Sequence, residues 1–74
     1  MAFAKPTFEQ LKHRFLYHAA TGDQAARYEK VRAAILETAR ICVDLTPHSR
    51  EQTRALNALD EAMFLFNAAI ARNE

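Results

Sequence analysis

The sequence has one glycine, two prolines, one cysteine and no tryptophan among its 74 residues. With Cys42 alone, no disulfide can form within the chain, and no second thiolate supports a zinc site. Cys42 lies in the apolar run Ile41-Cys42-Val43 and is expected to be a buried small hydrophobe in a reducing cytosol. Gly22 stands alone, so there is no glycine-rich loop to cradle a phosphate or a dinucleotide. No stretch has the length and apolarity of a membrane span. The opening Met1-Ala2-Phe3-Ala4-Lys5-Pro6 lacks the apolar run of a signal peptide, which predicts a protein that stays in the cell that makes it. The formal charge of +1 is too small for a non-specific binder of long nucleic acid. Catalytic groupings are missing too. His13, His18 and His48 have no metal-ligand spacing, and a separation of five would point His13 and His18 to different sides of a helix. Ser49 reads as a helix cap rather than a nucleophile. Asp60 and Glu61 are adjacent and face partly different ways, which does not suit an acid/base pair. The expectation is a protein that is not an enzyme, with no metal site and no cofactor.

What is present is helix. Half of the residues are hydrophobic, and the scarcity of glycine and proline favours few, long helices. Thr7-Phe8-Glu9-Gln10 has the form of a capping box, and Phe8, Leu11 and Phe15 then fall on one face. A break at Ala19-Ala20-Thr21-Gly22 follows. The next helix begins near Asp23, with the apolar stripe Tyr28, Val31, Ile35, Thr38, Cys42, Leu45. Thr46-Pro47-His48 is a turn, and Ser49-Arg50-Glu51-Gln52 offers a second capping box. The predicted fold is all-α: a single domain over 1–74, with helices at about 8–18, 23–45 and 49–73. A short N-terminal helix precedes a long antiparallel helical hairpin.

The last helix is apolar on more than one face. One stripe runs Leu56, Leu59, Met63, Phe66, Ile70. A second runs Ala55, Ala58, Ala62, Leu65, Ala69. Packing on one core needs a single stripe, and a domain of this size is marginal alone. The small-residue stripe therefore predicts a homo-oligomer with clefts between its subunits.

Charge is uneven along the chain. Residues 1–32 carry Lys5, Lys12, Arg14, Arg27, Lys30 and Arg32 against Glu9, Asp23 and Glu29, a net +3, while residues 33–74 sum to −2. Tyr17 and His18 lie beside the break, and Arg27, Lys30 and Arg32 occupy the opening turns of the next helix. Aromatic rings stack on bases, and guanidinium or ammonium groups neutralise phosphates. The competing reading has Tyr17 and His18 packing the break beneath solvated cations. Arg72 has its own competing reading, a cation set against the negative end of a helix dipole.

The strings Tyr17-His18, Asp23-Gln24 and Arg27-Tyr28 with Arg32, followed by Pro47, Ser49-Arg50-Glu51, Leu59-Asp60-Glu61-Ala62-Met63 and Asn67-Ala68-Ala69-Ile70-Ala71-Arg72-Asn73, resemble a known family. It is the small phage-encoded helical-hairpin sponges that block CBASS immunity, grouped as the Acb/Tad hairpin domain. The resemblance covers about Phe15 to Asn73. It implies a non-enzymatic sponge, acting in the cytoplasm of the infected bacterial host, that sequesters cyclic oligonucleotide messengers such as 3′,3′-cGAMP. It also implies hexamers, with cyclic dinucleotides between paired subunits and cyclic trinucleotides where three subunits meet. On this resemblance Tyr17 stacks on a base beside His18, Arg32 is the accompanying cation with Arg27 and Lys30 as alternatives, and Arg72 serves the trinucleotide site. Ala33 or Ala34 stands where family members can carry a polar partner to that arginine. A twofold interface supplies every contact twice, so one tyrosine and one arginine per chain would serve a cyclic dinucleotide. The rival readings are a helical protein–protein adaptor or inhibitor of a host protein, and a small DNA-associated regulator. The last helix lacks base-reading cations, and the helices are too long for a helix-turn-helix.

Overall fold

Thr7 opens the first helix as its sequence predicts. Its hydroxyl accepts from the Gln10 backbone N–H at 3.1 Å, and the Gln10 carboxamide accepts from the Thr7 N–H at 2.8 Å. These two bonds satisfy donors that a helix start leaves free. The computed structural model describes residues 4–74. Met1-Ala2-Phe3, part of the segment read above for a signal peptide, lies outside the described residues. Three helices are present: α1 (Phe8–Phe15), α2 (Gln24–Leu45) and α3 (Arg50–Asn73), with no strand among the described residues.

Helix α1 stops at Phe15, short of the expected end at residue 18. Leu16 turns to extended backbone, with φ −85 and ψ 154, while its N–H still reaches Lys12 O. The carbonyls that a further turn would have used go to side chains instead. His18 Nε2 donates to His13 O at 2.6 Å, and Arg72 Nη2 donates to Arg14 O at 3.2 Å. The chain therefore folds back after Phe15. His13 and His18, expected on different sides of one helix, meet edge-to-face with ring centroids 4.8 Å apart. His13 Nε2 in turn donates to Arg72 O at 2.6 Å, which ties α1 to the end of α3.

Gly22 has a φ of +57 in the connector before α2. That left-handed backbone costs an L residue about 1–2 kcal/mol, so the one glycine sits where one is required. Thr46 is extended, as a residue before proline tends to be, and it ends α2 ahead of Pro47.

Helices α2 and α3 pair as a hairpin. At the open end, Gln24 is 6% exposed, the one buried residue among those described. Its carboxamide oxygen accepts from Thr21 N at 3.0 Å, and its Nε2 donates to Glu74 at 3.5 Å. Arg27 binds Glu74 through both terminal nitrogens and lies 3.2 Å from Asp23. At the turn, the second capping box is only half made. Ser49 Oγ accepts from Gln52 N at 3.1 Å. The Gln52 carboxamide does not close the box; it donates to Thr46 O at 3.2 Å, Thr46 Oγ1 at 3.0 Å and Val43 O at 3.4 Å. The end of α2 leaves carbonyls without helical partners, and Gln52 serves those.

The packed stripe on α2 is Tyr28, Val31, Ile35 and Ala39, all half-buried. Thr38 is exposed and bonds back to Ala34 O at 2.9 Å. Cys42 is exposed too, contrary to the expected burial. It lies on the wall of an open groove of about 470 Å³ beside the turn, shared with Val43, Leu56 and Leu59, and no element covers it. On α3, Leu59, Met63 and Ile70 are half-buried, while Phe64, Leu65 and Phe66 remain 63%, 57% and 59% exposed. No hydrophobic residue is fully buried among those described. The chain presents 6475 Å² of surface at 8.4 kDa, against about 4,600 Å² for a globular monomer of that mass.

Candidate ligand-binding groove

The connector, α2 and α3 together form a groove of about 590 Å³, within the size range of small-molecule sites. Each element contributes by its spacing. Tyr28 and Arg32 stand four apart on α2 and so share a face. Asp60, Met63, Phe64, Asn67, Ala71 and Arg72 line the groove from α3. Tyr17 and His18 reach it because α1 ends early and His18 is bonded back to His13 O.

Tyr17 is 91% exposed although it lines the groove. Its ring faces are therefore free to stack on a flat ligand. His18 is half-buried, and its donation to a carbonyl places a proton on Nε2. Arg32 has one ionic partner, Glu29 at 3.3 Å, and both side chains are more than half exposed. Such a surface pair is worth little, so the guanidinium can exchange it for an anion. Arg72 is half-buried, with one nitrogen on Arg14 O. It lines the same groove as Tyr17 and Arg32.

Arg27 and Lys30 do not line this groove. Arg27 is committed to Glu74 and Asp23 at the open end of the hairpin. The Glu74 carboxylate raises the Arg27 guanidinium above its ordinary value, and Arg27 holds Glu74 below the usual carboxylate range. Of the three cations weighed at the start of α2, Arg32 alone meets the aromatic residue across a shared cavity.

Sequence reasoning left Tyr28, Asp60 and Asn67 out of the site. Tyr28 stands in the apolar stripe, where its ring reads as core. Its signal was the four-residue step to Arg32. Asn67 was visible as the polar member of an otherwise apolar row through Met63, Asn67 and Ala71. Its Oδ1 is shielded from solvent and has no hydrogen-bond partner among the described residues.

No group of three or more His, Cys, Asp or Glu among the described residues could hold a metal ion. No helix is long and apolar enough to cross a membrane. Residues 8–71, nearly the whole sequence, match the family model described as "Acb2/Tad1, hairpin domain". No curated protein and no solved structure matches the chain.

Proposed function

The chain belongs to the Acb2/Tad1 hairpin-domain family, and from that premise we propose that it binds and sequesters cyclic dinucleotides in the groove between connector and hairpin. The family's sponges bind cyclic oligonucleotide signals of antiphage immunity such as CBASS. The observation that carries the proposal for this chain is the meeting of an exposed Tyr17 with Arg32 across one 590 Å³ cavity. A base stacks on the tyrosine, and a phosphate takes the guanidinium in a charge-assisted bond. His18 fixes the connector and so the place of Tyr17. Lys30 is supporting positive charge outside the groove, while Arg27 is neutralised by Glu74 and Asp23.

A sponge needs affinity and abundance, and no reacting group. By keeping the messenger from its effector it blocks CBASS signalling in the cytoplasm of the infected bacterial host. The assembly is proposed to be a hexamer of antiparallel hairpins. Its twofold interfaces bring two copies of the Tyr17–Arg32 pair to one ligand with two bases and two phosphates.

Arg72 is proposed to meet its symmetry mates at a threefold axis and to hold a cyclic trinucleotide there. One of its nitrogens is on Arg14 O, which leaves the remaining donors for a phosphate. Arg72→Ala is expected to abolish trinucleotide binding and, because Arg72 also lines the groove of Tyr17 and Arg32, to weaken dinucleotide binding to a lesser degree.

Titration calorimetry with 3′,3′-cGAMP, cyclic di-AMP, cyclic di-GMP and a cyclic triadenylate tests the whole reading. Tight binding of at least one cyclic dinucleotide is expected. No heat with any of them would reject the sponge and favour the adaptor, which would use the exposed apolar surface of α3.

A further inference from the structure

We propose that Asn67 reads the base edge of the ligand and is the specificity-determining residue of the groove, an inference that rests on the cyclic-nucleotide reading above. Asn67 lines the cavity from α3 between Phe64 and Ala71, and Tyr28 and Arg32 line it from α2. Its Oδ1 lies out of solvent without a hydrogen-bond partner among the described residues. A shielded acceptor left unmade is costly, and native structures keep few of them. Held inward, that oxygen is out of a ligand's reach, so Asn67 serves a ligand by turning its carboxamide toward the cavity, which also relieves the unmade bond.

The neighbours decide which part of the ligand that is. Met63, Phe64, Ala68 and Ala71 flank Asn67 on α3 with apolar surface, and Asp60 and Arg72 stand at the two ends of that row. Such a lining suits a flat heteroaromatic ring and disfavours a sugar–phosphate edge, which would lose its water there. The phosphates have the guanidinium groups, Arg32 on α2 and Arg72 at the end of α3. The base is left for Asn67.

A carboxamide not held by its oxygen turns about a broad, twofold terminal torsion. Turned one way, it offers N–H to a ring nitrogen or a carbonyl of the base. Turned the other way, it offers its oxygen to an amino or imino N–H. One residue therefore serves both adenine and guanine, and the groove accepts either purine. An aspartate at the same position keeps the shape and can only accept.

The test uses the full-length chain and two variants, Asn67→Leu and Asn67→Asp, titrated with cyclic di-AMP, cyclic di-GMP and the 2′-deoxy form of cyclic di-AMP. Asn67→Leu is expected to weaken both ribose ligands by roughly tenfold or more, the loss of one buried hydrogen bond per base. It is also expected to melt no lower than the parent without ligand, because an unpaired acceptor has been removed. Asn67→Asp is expected to change the ratio between the two bases by at least several-fold. Unchanged affinities and ratio in both variants, with the parent binding normally, would overturn this proposal and leave the sponge standing. A loss in Asn67→Leu that vanishes with the 2′-deoxy ligand would place Asn67 on the ribose and also overturn it. A parent that binds none of the ligands would reject the sponge and this role together. A lower melting point for Asn67→Leu, with ligand affinity intact, would mark Asn67 as packing alone.

Discussion

Tyr17 and Arg27 show how far single residues could be read from the sequence. Tyr17 was singled out because an aromatic beside a break can stack on a base, against a competing reading in which it packs the break; in the structure it is 91% exposed. Arg27, Lys30 and Arg32 could not be ranked by spacing, since all three lie within two turns of one helix. What ranks them is the partner that each meets, and Glu74 lies 47 residues from Arg27 along the chain. Tyr17→Ala and Arg32→Ala are each expected to weaken cyclic dinucleotide binding in calorimetry with the assembly intact. The tyrosine accounts for about 1–3 kcal/mol per stacked base. Arg27→Ala is expected to leave ligand affinity near the parent value and to loosen the open end of the hairpin instead. A second prediction concerns pH. Glu74 is held below its ordinary value of 4.5, first by the hydrogen bond from Arg27 and further by Gln24. Folding therefore makes this carboxyl a stronger acid, so the unfolded chain binds more protons in acid. The contribution is fully present above about 4.5 and is lost as pH falls below that through the lowered folded value. Amide protection at Gln24 to Tyr28, corrected for the intrinsic slowing of exchange in acid, should fall over that acid window in the parent. In Glu74→Gln the protection should already be low at neutral pH and should respond less to acid.

At the scale of the element, the sequence announces where helices begin more clearly than where they end. Thr7 and Ser49 cap α1 and α3, and both accept the backbone N–H three residues on. A cap is local chemistry, complete within four residues, and so is the stop imposed by Pro47 on Thr46. The end of α1 is different. His18 and Arg72 take the carbonyls of His13 and Arg14, and Arg72 lies 58 residues from its acceptor. No local pattern carries that contact. Gln52 is a third case, since its spacing from Ser49 is that of a capping box but the open carbonyls of α2 are better partners for its N–H groups. Gln52→Ala is expected to lower stability by about 1 kcal/mol, one net set of hydrogen bonds, and to fray the last turn of α2. Gly22→Ala has open space for its methyl, yet it should cost about 1–2 kcal/mol because the left-handed backbone is retained. Thermal melting of both variants beside the parent checks these values. A Gly22→Ala protein as stable as the parent would mean that the connector relaxes to another path.

For the whole molecule, the doubled apolar stripe on α3 was the signal from which an oligomer was expected, and the single chain leaves much surface open. The radius of gyration is 16.4 Å, against about 11 Å for a compact domain of this length. The surface in excess of a globular monomer, roughly 1,900 Å² by the area scaling, is more than twice the roughly 800 Å² that each partner gives to a standard interface. Helix α1 adds to it, with Phe8 and Phe15 each 73% exposed. Exposed aliphatic and aromatic side chains on this scale are characteristic of binding surfaces. The faces that a second copy would cover are those left open here: Leu65 and Phe66 on α3 and the apolar side of α1. Ala62 is half-buried against the hairpin, so a charge there would disturb the fold as well as the assembly. Leu65, 57% exposed in the single chain, is the cleaner probe. In sedimentation equilibrium at micromolar concentration the parent is expected to run as a multiple of 8.4 kDa. Leu65→Glu is expected to run near the monomer mass with its helical circular dichroism largely retained, because a carboxylate buried without a partner costs several kcal/mol. If the groove is completed by a second copy, Leu65→Glu should lose ligand binding along with assembly, although Leu65 does not line the groove of the single chain. Retention of full affinity by a monomeric Leu65→Glu protein would show that one chain's Tyr17 and Arg32 suffice.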